Sequence, residues 1–327
     1  VAGGFVTLGA KGLITETASN GTYAGVIQGT GSLTKQGSGI FTLTGANTYS
    51  GGTIIDAGTL ALSGAGTLDS TGAVTINAGT FDISGITAGT QTIGDLSGAG
   101  TVNLGAKELA EGTANSTTYA GVLQGTGGSI IKQGSGTLTL TGTSTYTGGT
   151  NINAGTLIVN GVIGGVVNVS ANATLGGTGT VGTLINGGFV SPGESIGTLT
   201  VNGNYTQLPN GQLVIEIAPD GATDLLDVTG TATLNGSLHI IPEVGVYPDS
   251  TIYTFLTAAS VTGVFSSSFS DIPIPYSVNY SPTSAFLIIS PFIITPIPNS
   301  DLSGNARAVA DYLFCTSFDF GNQDLVN

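Results

Sequence analysis

Residues 33–62 read LTKQGSGIFTLTGANTYSGGTIIDAGTLAL, and residues 128–159 read GSIIKQGSGTLTLTGTSTYTGGTNINAGTLIV. The two passages are nearly the same sentence. The likeness extends upstream, where VTLGAK from Val6 answers VNLGAK from Val102, and TYAGVIQGTG from Thr22 answers TYAGVLQGTG from Thr118. These pairs are offset by 96 residues, whereas Lys35/Lys132, Tyr49/Tyr146 and Gly58/Gly155 are offset by 97, so one residue was inserted near 127–128. Chance does not hold a register that long, and the chain contains a duplication of about one hundred residues.

Each copy has a finer rhythm. In Thr137-Leu138-Thr139-Leu140-Thr141 one face is Leu and the other Thr, the period-two pattern of a half-buried strand. In the passage from Gly79 to Ser84 one face is Phe81 and Ile83. Thr is β-branched and suits a pleated surface, and Gly punctuates the runs where the chain must turn. Such strands are too short to bury a core pairwise. Stacked as coils they share a continuous core, with each rung paired to the one beneath. At ~20–25 residues per coil and ~4.8 Å per rung, residues 1–290 would make roughly a dozen rungs and a rod ~60 Å long. A β-sandwich or barrel also uses short strands at this spacing. The long repeat register favours the solenoid.

Composition narrows the function. The chain has 327 residues and a net charge of −14, with five basic residues and 7% charged residues in all. From Gly188 onward twelve acids face one base, Arg307. No cluster of Lys or Arg exists to hold a phosphate backbone, which argues against nucleic acid, and an anionic membrane surface would repel the chain. The 40% hydrophobic content argues against a charged disordered tail. Cys315 is the single cysteine, so no intrachain disulfide can form. The longest apolar stretch, 285–298, is broken by Pro291 and Pro296 and is shorter than the ~20 residues of a membrane helix. The chain opens at Val1, and any secretory leader is expected to have been removed from it.

The motif Leu-Thr-Lys, Gly-x-Gly, alternating Leu and Thr, Asn-Thr-Tyr-x-Gly-Gly-Thr, Ala-Gly-Thr-Leu resembles the passenger-associated transport repeat of bacterial autotransporters. The second copy departs from it mildly, with Ser144 in place of Asn47 and SIIK in place of SLTK. Residues 187–217 and 224–265 resemble the last coils of such passengers, including a pertactin-like C-terminal region, and 299–313 resembles the stretch that joins passenger to translocator. The resemblance implies an all-β, right-handed parallel β-helix with a short C-terminal α-helical linker. It implies three parts: 1–186, a β-helix with two ~97-residue repeats; 187–290, C-terminal coils that act as an autochaperone-like folding seed; and 291–327, a linker toward a translocator β-barrel expected beyond it. The implied partners are that barrel and a host or surface receptor, and the implied location is the cell surface or beyond. Absence of disulfides, low charge and small residues suit a chain threaded unfolded through a pore. Coil-by-coil folding suits its emergence.

Candidate chemistry is confined to a few residues. His239, the one histidine, lies in the apolar strand pattern SLHIIPEV, where a strand residue is favoured over a Ser-His-Asp role. Asp220, Asp224 and Asp227 could bind calcium, but no GGxGxD repeat or EF-hand loop is present, and a turn with solvated acids is favoured. Asp56 and Asp82 could face one groove as the carboxylates of a polysaccharide-cleaving β-helix. Asn153 stands where Asp56 would repeat, which weakens that pairing. Lys35 and Lys132 are expected to be exposed strand ends that discourage edge pairing, and Tyr49 and Tyr146 to be packing residues before a turn. The sequons at Asn115 and Asn172 are expected by chance in so Thr-rich a chain. One helical pattern places Ala306, Val309, Ala310 and Leu313 on one face, with Ser300 as N-cap. No catalytic, cofactor or metal residue is assigned. The expected function is display and adhesion without catalysis. A carbohydrate-active β-helix enzyme and a stalk for an upstream domain are the alternatives.

Overall fold

The structure, a computed structural model, describes residues 3–16 and 18–294 and the short strand Cys315–Ser317. The helical pattern around 300–313 falls outside the described residues. The described part is a parallel β-solenoid of about 11 turns, built from strands alone.

Each turn visits three faces. The first face is a single sheet of 13 strands, from Leu13–Thr15 to Ser267–Ser270. Along its N-terminal half the stacked partners are Leu13, Leu33, Thr53, Val74 and Leu96, spaced 20 to 22 residues apart. The second face stacks six strands, from Gly21–Tyr23 to Val122–Gln124. The third begins with Phe5–Leu8, Val26–Gly29 and Thr48–Tyr49. It passes through a rung without a named strand, where Asn47 N donates to Thr67 O and Gln91 Nε2 donates to Leu68 O. It then continues as the sheet that starts with Thr90–Thr92 and Glu108–Glu111. The alternation read from the sequence is realised directly: in Thr137–Leu140 and Thr156–Val159 every second residue is buried. Leu33, Ile55, Leu60, Phe81, Leu138 and Leu157 belong to one core that runs the length of the coil.

Corners are the difficult part of such a coil. A column of glycines, Gly100, Gly121, Gly142, Gly161 and Gly179, passes from rung to rung, and a Cβ on any of the last four would be driven into the carbonyl oxygen of the glycine below. Gly58 and Gly155, equivalent in the two copies, take φ of 67° and 65°, which an L side chain adopts only at a cost. Where no rung supplies a partner, side chains are turned inward to satisfy corner backbone. Asn186 donates to Gln212 O and accepts from Gly188 N, and Gln207 Nε2 donates to Gly211 O and Ser237 O.

The duplication and the coil are out of step. Lys35 ends a first-face strand, Leu33–Lys35, whereas Lys132 ends a third-face strand, Ser129–Lys132. The chain makes four full turns and visits two further faces between them. Every matched strand shifts likewise: Ile40–Leu43 lies on the second face and its counterpart Thr137–Leu140 on the first.

The C-terminal end is different. Leu225–Leu234 pairs with Thr198–Val201 and with Tyr205–Gln207, so the second and third faces merge into one long strand. Thr251–Gly263 stacks parallel on it and then pairs antiparallel with Ser284–Ile289, which pairs antiparallel with Tyr276–Tyr280. This antiparallel cap covers what would be an open parallel edge. Beneath it Tyr247, Tyr253 and Phe255 are fully buried, with the two tyrosine hydroxyls donating to Ile217 O and Ala218 O.

Candidate functional site

The repeated motif resolves into corner machinery. Lys35 and Lys132 are fully buried rather than exposed strand ends, which corrects the reading from sequence. The Lys35 ammonium donates to the carbonyls of Gln36, Gly37 and Ala57 at 2.8, 2.6 and 3.2 Å. Lys132 makes the equivalent set to Gln133, Gly134 and Ala154 at 2.7, 3.1 and 3.4 Å. Three donors on one flexible stem match three carbonyls that turn inward at a tight corner. The tyrosines of the motif are buried too, with Tyr49 bonded to Thr53 and Tyr146 to Thr150. The Asn47/Ser144 exchange is conservative in effect, since Asn47 Oδ1 accepts from Ile27 N and Ser144 Oγ accepts from Leu123 N.

The two lysines differ in what lies beneath. Lys35 stacks on Thr15, whereas Lys132 stacks on Glu111, which is also buried. Burial pushes the Glu111 carboxyl up to about 8, outweighing the pull of Lys132 and of the Leu96 amide. Burial lowers Lys132, partly offset by Glu111 and Asp95. Oε1 of Glu111 has no hydrogen-bond partner.

The acidic trio does not converge. Asp224 is fully buried, contrary to the expectation of solvated acids, and accepts from the amides of Gly197 and Glu216 at 2.9 and 2.8 Å. Burial raises its carboxyl to about 7 against the lowering effect of those amides. Asp227 accepts from Thr257 Oγ1, and exposed Asp220 accepts from Ala222 N in its own turn. Among the described residues no group of three or more His, Cys, Asp or Glu could hold a metal ion. Asp56 and Asp82 do not share a groove either. Asp56 follows a first-face strand and sits in a ladder between Gln36 and Asn77, while Asp82 lies on the second face and accepts from Ser84 N. The two ladder hydrogen bonds, Asn77 first, hold the Asp56 carboxyl below its usual range.

His239 faces outward on the first face. Its Nε2 lies 2.6 Å from Asp271 Oδ1, and its ring stacks on Phe269 at 4.6 Å between centroids. Sequence reading did not single out two concavities. One, of about 210 Å³, is bordered by Glu194 and Glu216 with Ser191 and Ser195. Asn160 Nδ2 donates to Glu194 Oε1, and burial, followed by the neighbouring charge of Glu243, raises Glu216. The other is a groove in the C-terminal cap, lined by Tyr276, Tyr280 and a run of serines. Both gather residues far apart in sequence, so no local motif announces them.

The raised carboxyls set the pH dependence of stability. Asp224 and Glu111 hold protons more tightly in the folded chain than in the unfolded one, so protons favour the fold. Their contribution is complete below the ordinary carboxylate range and is lost as pH rises through about 7 for Asp224 and about 8 for Glu111. Stability from urea unfolding is expected to fall by several kcal/mol from acidic toward mildly alkaline pH, since both carboxyls hold protons far more tightly in the folded chain and each tenfold difference in proton affinity is worth ~1.4 kcal/mol. Glu111→Gln should flatten the upper part of that decline. Stability that rises with pH over this window would contradict the assignment.

The passenger-associated-transport-repeat family matches residues 33–62 and 130–159, within the two copies of the duplicated passage. The chain is 32% identical over 217 residues to the adhesin BmaC autotransporter of Brucella suis biovar 1 (strain 1330), covering 57% of this chain and 6% of that protein. It is 33% identical over 118 residues to an extracellular serine protease of Serratia marcescens, covering 36% and 11%. It is 35% identical over 121 residues to the uncharacterised protein YuaQ of Escherichia coli (strain K12), covering 32% and 8%. The chain therefore spans only 6% to 11% of the length of these relatives. Two transport repeats wound into a parallel β-solenoid, together with the likeness to an autotransporter adhesin and an extracellular protease, support an autotransporter passenger segment of the bacterial cell surface or the extracellular space.

Proposed function

We propose that this passenger segment works without catalysis, by adhesion to a host cell or another surface, joined to a translocator barrel through 291–327. The observation that carries the reading is the use made of reactive side chains. Lys35, Lys132 and Asp224 are consumed by corner backbone, and His239 is held by Asp271 and Phe269. The outward rows include hydroxyl and amide ladders such as Thr75–Ser97 and Asn151–Asn168, beside exposed apolar side chains such as Ile14 and Phe189. The likeness to an adhesin supports the same reading. Residues 187–290, with the antiparallel cap and its buried aromatics, are the proposed folding seed. Beads coated with the purified chain are expected to bind epithelial cells several-fold above albumin-coated beads. Binding equal to the albumin control would overturn the adhesive role.

A second reading is polysaccharide hydrolysis, and it is favoured by one observation. Glu194 and Glu216 border a common cleft, and the raised Glu216 carboxyl suits a general acid. On that reading, reducing ends released from plant or bacterial polysaccharide should vanish in Glu216→Gln. No release by the unaltered chain would dismiss it.

A further inference from the structure

The groove in the C-terminal cap lies between the last strand of the first face, Ser267–Ser270, and the antiparallel strand Tyr276–Tyr280. Its volume is about 520 Å³, the size of a small-ligand site. Phe265 forms the buried part of its wall, Ser266, Ser267 and Ser268 are exposed along one side, and Tyr276 and Tyr280 are half-buried along the other. Two valines complete the lining, and no charged side chain takes part. The two sides are tied together, since the Tyr276 hydroxyl donates to Ser268 Oγ at 3.1 Å and Phe265 N donates to the Tyr280 hydroxyl at 3.2 Å. The wall therefore presents hydroxyls that both donate and accept, beside aromatic rings fixed in orientation.

This chemistry selects a ligand class. With no charge in the wall, an ionic ligand gains nothing that offsets its lost hydration. The net charge of −14 further disfavours anionic glycans. A sugar ring offers the complement, a dense set of hydroxyls around the edge and an apolar face of C–H groups to lay on an aromatic ring. We propose that this groove binds a neutral saccharide, with Tyr276 and Tyr280 as the stacking surface and Ser266 to Ser268 as hydrogen-bonding partners. The proposal names a ligand class for the adhesive role and rests on that reading.

The test is titration of the full chain with lactose, maltose and N,N′-diacetylchitobiose, followed by amide chemical shifts, with a chondroitin sulfate disaccharide as the charged comparison. At least one neutral disaccharide is expected to bind saturably in the millimolar range, with shifts confined to residues 264–268 and 276–280. Tyr276→Ala should weaken that binding about tenfold and Tyr276→Phe about threefold, as loss of a ring costs more than loss of one hydroxyl. Ser268→Ala, a milder change at an exposed position, should weaken it without moving the thermal midpoint. No saturable shift with any neutral disaccharide, preference for the sulfated one, or shifts elsewhere on the coil would overturn the proposal. So would occupation of the groove by an extended peptide that sugars do not displace. If Tyr276→Ala beads still adhere to cells as well as the parent, the groove is not the adhesive site and adhesion itself stands. If parent beads fail to adhere while sugar binds, the adhesive role fails and the groove stands.

Discussion

Replacing Lys132 by Met is expected to destabilise the coil by about 3–5 kcal/mol, among the largest effects of any single change. Met keeps the length of the stem and fills the same buried space, so the loss is not a packing loss. What disappears is the ammonium that satisfies the carbonyls of Gln133, Gly134 and Ala154. Those carbonyls lose the one donor that reaches all three at once, and each that stays unsatisfied costs ~1–3 kcal/mol before the corner relaxes. Lys35→Met should cost a similar amount for the same reason. The two sites differ in their coupling. Glu111 lies beneath Lys132 in register, so Glu111→Gln combined with Lys132→Met should lose less than the sum of the singles, by ~0.5–3 kcal/mol. Thr15 lies beneath Lys35, and Thr15→Val with Lys35→Met should be close to additive. Hydrogen exchange of the flanking rungs and urea midpoints measure both. A Lys132→Met chain as stable as the parent would show that the corner does not need its cation.

The second large effect concerns a glycine with no unusual backbone angle. Gly142→Ala should cost about 2–4 kcal/mol, because the new methyl would strike the carbonyl oxygen of Gly121 in the rung below. The methyl is fixed to its own backbone and the oxygen is part of the backbone of the rung below, so the clash is relieved only by moving one rung against the other. Gly89→Ala is the control. Nothing lies within 4 Å of its Cβ position, so it should be neutral or stabilising by a few tenths of a kcal/mol through the unfolded chain. The damage from Gly142→Ala should be local, with exchange rising in the two or three rungs around 121–161 while the C-terminal cap stays protected, as expected when each rung depends only on its neighbours. Equal behaviour of the two variants would mean that the glycine column is not sterically required.

Much of the molecule is written locally. Alternation in Thr137–Leu140 places Leu138 and Leu140 in the core whatever lies above or below, and the strand-length runs separated by glycines specify short rungs and sharp corners. The two copied passages, read with their spacing, also determine that the coil is a solenoid, because the same local pattern recurs over a length no single sheet would need. The roles of the lysines were not legible. A Lys at a strand end normally marks solvent, and only the closed corner turns Lys35 and Lys132 inward onto carbonyls. The burial of Asp224 is equally hidden in the sequence, since its partner amides, Glu216 across the local turn and Gly197 from an earlier corner, are brought together only by the fold.

Contacts between near neighbours in the chain specify the unit: a strand, a glycine corner and an inward-facing apolar row. Which face each unit occupies is settled only by the folded coil. That depends on the accumulated lengths of all preceding corners, and 97 residues amount to four turns and two further faces rather than a whole number of turns. The copies therefore point in different directions around the rod while keeping identical corner chemistry, because a parallel ladder bonds backbone to backbone and is indifferent to which strand it receives.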